Sequence, residues 1–115
     1  MLGFEDEAGT DKGDGFNLNF PMHWGTQWPA YEAALAAGLE RIRTYGADAL
    51  VVSLGVDTYK DDPISQFKLD HEHFTRMGEM IRTLGKSSLF VMEGGYAVAE
   101  IGINAVNVLT GFEGA

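Results

Sequence analysis

Apolar and polar positions divide the chain into an irregular start and a regular remainder. Residues 1–15, MLGFEDEAGTDKGDG, are acidic and glycine-rich with almost no apolar period, which predicts loop. Residues 16–20, FNLNF, alternate apolar and polar up to Pro21 and predict a short strand. Residues 21–28, PMHWGTQW, predict an irregular, aromatic loop. From Pro29 to Tyr45 the period becomes helical: Tyr31, Ala34, Leu35, Leu39 and Ile42 recur on one face. Pro29 suits a first helical turn, and Gly46 stands where a C-terminal cap belongs. Residues 49–54 form an apolar run, the signature of a parallel strand covered on both faces. A loop over 55–69 then leads to a second helix over 71–84. Asp70 caps it, Phe74, Met77, Ile81 and Leu84 face inward, and Gly85 ends it. A second buried strand follows at 88–92, then a loop at 93–96 and a last helix over 97–110, where Val98, Ile101, Ala105, Val108 and Leu109 share a face.

Helix, strand, helix, strand and helix in this order give right-handed βαβ units and a parallel sheet. The fold class expected is α/β, a three-layer α/β/α arrangement in one domain spanning 1–115, with 1–15 mobile at its very start. Three helices and three short strands make a small parallel sheet with exposed edges. The piece has the look of part of something larger.

Composition narrows the partners more than the fold. A net charge of −9 argues against nucleic acid, whose phosphates need a basic face, and against anionic membrane surfaces. It is compatible with a cationic small molecule. The absence of cysteine excludes a disulfide framework and a thiolate metal site, so any zinc would need His and carboxylate ligands. No apolar run reaches 18 residues and no basic-then-apolar leader opens the chain, so a cytoplasmic protein is expected. Glycine, at 15 of 115 residues, points to tight turns and close backbone approaches.

Ligands of open parallel sheets bind beyond the carboxyl ends of the strands. Two loops hold that position: Gly55-Val56-Asp57 and Glu93-Gly94-Gly95-Tyr96. Adjacent strands would bring Asp57 and Tyr96 to one rim. A carboxylate and a phenol there suit metal-assisted hydrolysis, the first holding a cation and the second donating to a developing oxyanion. The competing account is that Asp57 caps a turn and Tyr96 packs with a wet hydroxyl. Position alone favours that plainer account.

The stretches LVVSLGVDTYKDDPISQFKL at 50–69 and VMEGGYAVAEIGINAVNVLTG at 91–111 resemble the C-terminal part of the histone deacetylase superfamily, closest to bacterial acetylpolyamine amidohydrolases. Asn19-Phe20-Pro21-Met22 and Gly25-Thr26 resemble a loop of the same family. The resemblance implies a partial arginase/deacetylase-like fold and zinc-dependent hydrolysis of an acetyl amide, with an acetylated amine as substrate. It implies that Asp57 is a zinc ligand and Tyr96 the catalytic tyrosine that polarises the acetyl carbonyl. Gly94 and Gly95 would line the acyl channel, in contact with substrate. Asp61, Asp62 and Pro63 would shape the loop beyond the metal ligand.

The family also needs a tandem histidine pair and an Asp-x-His segment, and neither occurs among His23, His71 and His73. His71 and His73 are expected to be solvated at the start of a surface helix. His23 lies in a loop near the rim, where the family pattern places no catalytic histidine. Catalytic zinc takes about three protein ligands, so this chain alone is expected to be inactive and to bind no zinc. Met1 fits a free-standing reading frame or a fragment equally well. The expected role is an inactive remnant that forms a homo-oligomer. The alternatives are a component of a deacetylase completed by a different chain carrying the missing half, and a binding module for cationic amines built on Trp24, Trp28 and Tyr96. A symmetric oligomer cannot restore the histidines, because every copy lacks them.

Overall fold

The computed structural model describes residues 4–23, 25–61 and 67–114. Helix α1 (Trp28–Tyr45) has Pro29 in its first turn and ends at Gly46, which turns left-handed and donates its N–H to the Ile42 and Arg43 carbonyls. Strand β1 (Ala49–Leu54) follows, then helix α2 (His71–Arg82), strand β2 (Ser87–Met92) and helix α3 (Ile101–Glu113). The two strands pair in parallel, Ala49 opposite Ser87 and Leu54 opposite Met92, with α2 as the crossover. Parallel pairing, a helical crossover and the alternation of elements are those read from the sequence, and the chain has an α/β fold.

Helix α2 is fixed at its start by a capping box. The Asp70 carboxylate accepts from the His71 N–H at 2.8 Å, and the Asp70 N–H donates to His73 Nδ1 at 2.9 Å. Helices α2 and α3 approach each other through glycine. A β-carbon on Gly78 would stand 1.9 Å from the Val108 carbonyl oxygen, and one on Gly111 would stand 2.0 Å from that of Thr75. Only a residue without a side chain allows backbones this close.

The core lies on one face of the sheet. Leu54, Val56, Tyr59, Leu69, Phe74, Met77 and Val108 form one buried cluster; Leu39, Met80, Ile81 and Leu84 form a second. Trp28, Leu35 and Phe90 pack against both clusters, joining them into one layer of three helices on a sheet. The opposite face carries Val51 at 72 % exposed, Leu89 at 60 % and Val91 at 46 %. The apolar runs do mark strands fit for cover on both faces, but the described residues build two of the three layers.

Several boundaries and one element differ from the sequence reading, α3 also running on to Glu113 rather than 110. Helix α3 starts at Ile101 rather than 97, because 97–100 form a turn whose Ala97 carbonyl accepts from both Glu100 and Ile101 N–H. Helix α2 stops at Arg82, and Thr83 and Leu84 close a turn onto Gly85. Residues 16–20 form no strand. Their alternation is present, but Asn17 and Asn19 donate side-chain hydrogen bonds to the carbonyls of Glu7 and Phe4, folding the segment back onto the chain's start. A strand needs a paired edge as well as a period of two. Among the described residues no helix is long and apolar enough to cross a membrane.

Candidate active-site rim

The parallel ladder continues past the strand ends. Glu93 N–H donates to the Leu54 carbonyl at 3.0 Å, and Val56 N–H to the Gly94 carbonyl at 2.8 Å. The loops that follow β1 and β2 are thereby stitched side by side, and Asp57 and Tyr96 emerge on the same rim. Asp57 is half-buried and its carboxylate lies against glycine backbone. A β-carbon on Gly94 would stand 2.8 Å from Asp57 Oδ2, and one on Gly55 would stand 3.0 Å from Oδ1. The two glycines leave a cradle that the carboxylate fills. Gly95 has φ +152°, and a β-carbon there would also meet Val56 at 2.7 Å. Tyr96 is 47 % exposed at the outer side of the same loop.

Helix α1 adds a residue that sequence reading assigned only to its packing face. The Tyr31 phenol is pushed above its ordinary value of 10.0, first by burial and then by the negative charge of Asp57. Tyr31 therefore stands within electrostatic reach of the rim carboxylate, held between Trp28, at a ring separation of 6.2 Å, and Phe67, also at 6.2 Å. Helical periodicity marks the inward face but not which inward residue lies beside the rim.

The histidines of α2, expected to be solvated, are half-buried and partnered. His71 sits between two partners: Nε2 is 3.2 Å from the Tyr59 hydroxyl, and Nδ1 is 2.6 Å from Asn104 Oδ1. His73 stacks on Trp28 with ring centroids 4.8 Å apart and planes 5° from parallel, while its Nδ1 closes the capping box. The partners of His71 come from a loop 12 residues upstream and a helix 33 residues downstream, beyond any local signal. His23 is exposed in the loop before α1, with its carbonyl accepting from Thr26. Asp61 is exposed; Asp62, Pro63 and Trp24 lie outside the described residues.

Among the described residues no group of three or more His, Asp or Glu side chains could hold a metal ion. Asp57 offers one carboxylate where catalytic zinc takes about three protein ligands. The donor set among the described residues therefore does not by itself fit a catalytic metal.

Parallel strands joined by a helical crossover, with a glycine-cradled carboxylate beyond their carboxyl ends, define an α/β protein with its candidate site at the strand rim. The chain belongs to the histone deacetylase family: the family's histone deacetylase domain matches residues 1–112. It is 60 % identical over 114 residues to acetylpolyamine amidohydrolase 2 of Pseudomonas aeruginosa, and 49 % identical to the acetylpolyamine amidohydrolase of Mycoplana ramosa. Each alignment covers 99 % of this chain and 33 % of the relative. The crystal structure of the acetylpolyamine aminohydrolase from Burkholderia pseudomallei superposes with a TM-score of 0.92 at 39 % identity, over 96 % of this chain and 32 % of that one. The chain thus spans about a third of the length of the relatives it matches.

Proposed function

We propose that this chain is the C-terminal part of an acetylpolyamine amidohydrolase-like deacetylase, carrying half of the catalytic rim and inactive by itself. The observation that carries this is the Asp57 carboxylate seated in the Gly55–Gly94 cradle, one loop away from Tyr96. In the complete site Asp57 would be one zinc ligand, and the remaining ligands and the proton-transfer histidines would come from the rest of a deacetylase domain outside this chain. Zinc, when bound, would supply Lewis-acid polarisation of the acetyl carbonyl. Tyr96 donates a hydrogen bond to the oxygen of that carbonyl as it becomes an oxyanion. Gly94 and Gly95 line the acyl channel with backbone, the space beside each being taken by Asp57 and Val56. The substrate class is an acetylated aliphatic amine, and the reaction takes place in the cytoplasm.

The open sheet face supports completion by further protein. The chain exposes 7354 Å². A compact monomer of this mass exposes roughly 6,200 Å². The excess, roughly 1,200 Å², exceeds the ~800 Å² that one partner contributes to a standard interface. We infer that the rest of a deacetylase domain covers Val51, Leu89 and Val91, and that in its absence a second copy of the chain does so.

Co-expression with the remaining two thirds of the Pseudomonas aeruginosa relative tests this. Alone, the chain should bind no stoichiometric zinc and release no acetate from an N-acetylated polyamine. The reconstituted complex should do both. Asp57→Ala should remove the zinc, and Tyr96→Phe should keep it while lowering kcat by about 10²–10³, the usual loss for one oxyanion donor. A reconstituted activity indifferent to both substitutions would overturn the assignment.

A further inference from the structure

The candidate rim is made of two loops, and a buried polar strut connects the helices behind them. Tyr59 lies two residues beyond Asp57 in the loop after β1 and is 3 % exposed. Its ring stacks on His71, centroids 4.8 Å apart, and its hydroxyl is 3.2 Å from His71 Nε2. His71 opens α2, and on the other side of its ring Nδ1 meets Asn104 Oδ1 at 2.6 Å. Asn104 is 1 % exposed and lies in the first turn of α3. That helix starts five residues after Tyr96. A second asparagine of α3, Asn107, donates from Nδ2 to the His71 carbonyl at 3.0 Å.

The chemistry of the strut is directional. An amide oxygen only accepts, so His71 Nδ1 donates to Asn104, and in the neutral ring Nε2 accepts from the Tyr59 hydroxyl. Tyr59 and Asn104 are buried and the half-buried His71 is held from both sides, so rotation of any member breaks a bond that the surroundings do little to replace. Asn104 Nδ2 already has no partner among the described residues. Asn104 is thus held by its oxygen alone.

We propose that Tyr59, His71 and Asn104 are positioning residues that set the spacing between Asp57 and Tyr96. Tyr59 anchors the carboxylate's loop to the start of α2, and Asn104 anchors the start of α3, and with it the Tyr96 loop, to the same imidazole. The backbone bond from Val56 to Gly94 fixes the loops at their base. The strut fixes them at their far ends, so the rim is bracketed twice. The catalytic part of this proposal rests on the deacetylase reading above; its conformational part does not.

His71→Phe keeps an aromatic ring to stack on Tyr59 and deletes both hydrogen bonds. In the chain itself, amide hydrogen exchange should quicken at least tenfold in both 55–59 and 94–97. His73→Phe, on the same helical turn but outside the strut, should quicken exchange only around the α2 cap. Should His71→Phe fail to fold, Tyr59→Phe deletes one hydroxyl and gives the same reading. Unchanged exchange in either loop would overturn the strut. In the reconstituted enzyme, His71→Phe should lower kcat about 10-fold or more with KM and zinc content unchanged, the scale of loss seen for outer partners of metal ligands. The Tyr59→Phe loss should not add to it. A rise in KM alone, or additive losses, would remove the catalytic role. Loosened loops in an enzyme indifferent to Asp57 would sink the deacetylase reading and leave the strut standing.

Discussion

Replacing Gly78 by alanine tests whether the α2–α3 contact holds this chain together. The added β-carbon would stand 1.9 Å from the Val108 carbonyl oxygen, 2.7 Å from Phe112 N and 2.9 Å from the Val108 carbonyl carbon. Ordinary contact begins near 3.4 Å, so the helices must separate by about 1.5 Å. All the atoms in the way are backbone, and none can swing aside as a side chain would. Helix α3 is not free to retreat, because Phe112 packs edge-to-face on Phe90 at 5.2 Å and Val108 is fully buried. Overpacking in a well-filled core costs about 1–3 kcal/mol, and a backbone collision belongs at the upper end. Alanine's better helix propensity returns up to about 1 kcal/mol. The net expectation is a loss of about 2 kcal/mol, or roughly 10 °C in Tm for a domain of this size. Gly102→Ala is the control: it lies in α3 with nothing within 4 Å of the added carbon, so propensity acts alone and stability should rise slightly. Urea denaturation followed by circular dichroism measures both. A Gly78→Ala midpoint within the error of the parent's, at unchanged m-value, would refute the close-contact account.

Three further outcomes follow from named contacts. Asp70→Ala should cost about 1 kcal/mol through loss of the α2 cap, with Asp70→Asn nearly neutral because asparagine caps as well. The Asp70 carboxyl titrates below its ordinary 3.8, chiefly because Lys60 donates to it and then because the His71 N–H does. Its stabilisation is therefore complete above the unfolded carboxylate range and is lost as pH falls through the depressed folded value, so parent and Asp70→Ala stabilities should converge in acid. Asp57→Asn should lower the Tyr31 phenol's pKa but leave it above 10.0, since burial is the larger cause; an unchanged tyrosine titration, read against Tyr31→Phe, would separate the two residues. On β2, Leu89→Lys should leave the stability of the chain within about 0.5 kcal/mol and abolish reconstitution, whereas Phe90→Ala, facing the helices, should cost about 2 kcal/mol or more. Equal effects would mean that the open and covered faces are misassigned.

What the sequence made legible was local or followed from parallel pairing. Asp70 and Gly46 mark helix ends because capping is settled by a few neighbouring atoms. The shared rim of Asp57 and Tyr96 followed from two apolar strands joined by a helical crossover, which leaves few arrangements. Residues 16–20 misled because alternation reports a face to bury and not a partner to pair with. Tyr31 and His71 were beyond reach for a different reason. Tyr31 meets the field of Asp57 from another element, and His71 meets Asn104 across 33 residues, so neither leaves a periodic trace.

The missing layer and the missing ligands are separate deficits. Everything that places Asp57 belongs to the covered half of the sheet: the Gly55–Gly94 cradle, the Val56–Gly94 hydrogen bond, and Tyr59 buried against α2. Val51, Leu89 and Val91, on the open face, are exposed instead. A carboxylate held in this way needs no second layer to reach its position, only further ligands to share a metal with. Completing the site from another polypeptide should therefore leave residues 55–59 where they already are. The change on reconstitution should fall on the open face, as new protection of the β1 and β2 side chains that now meet water.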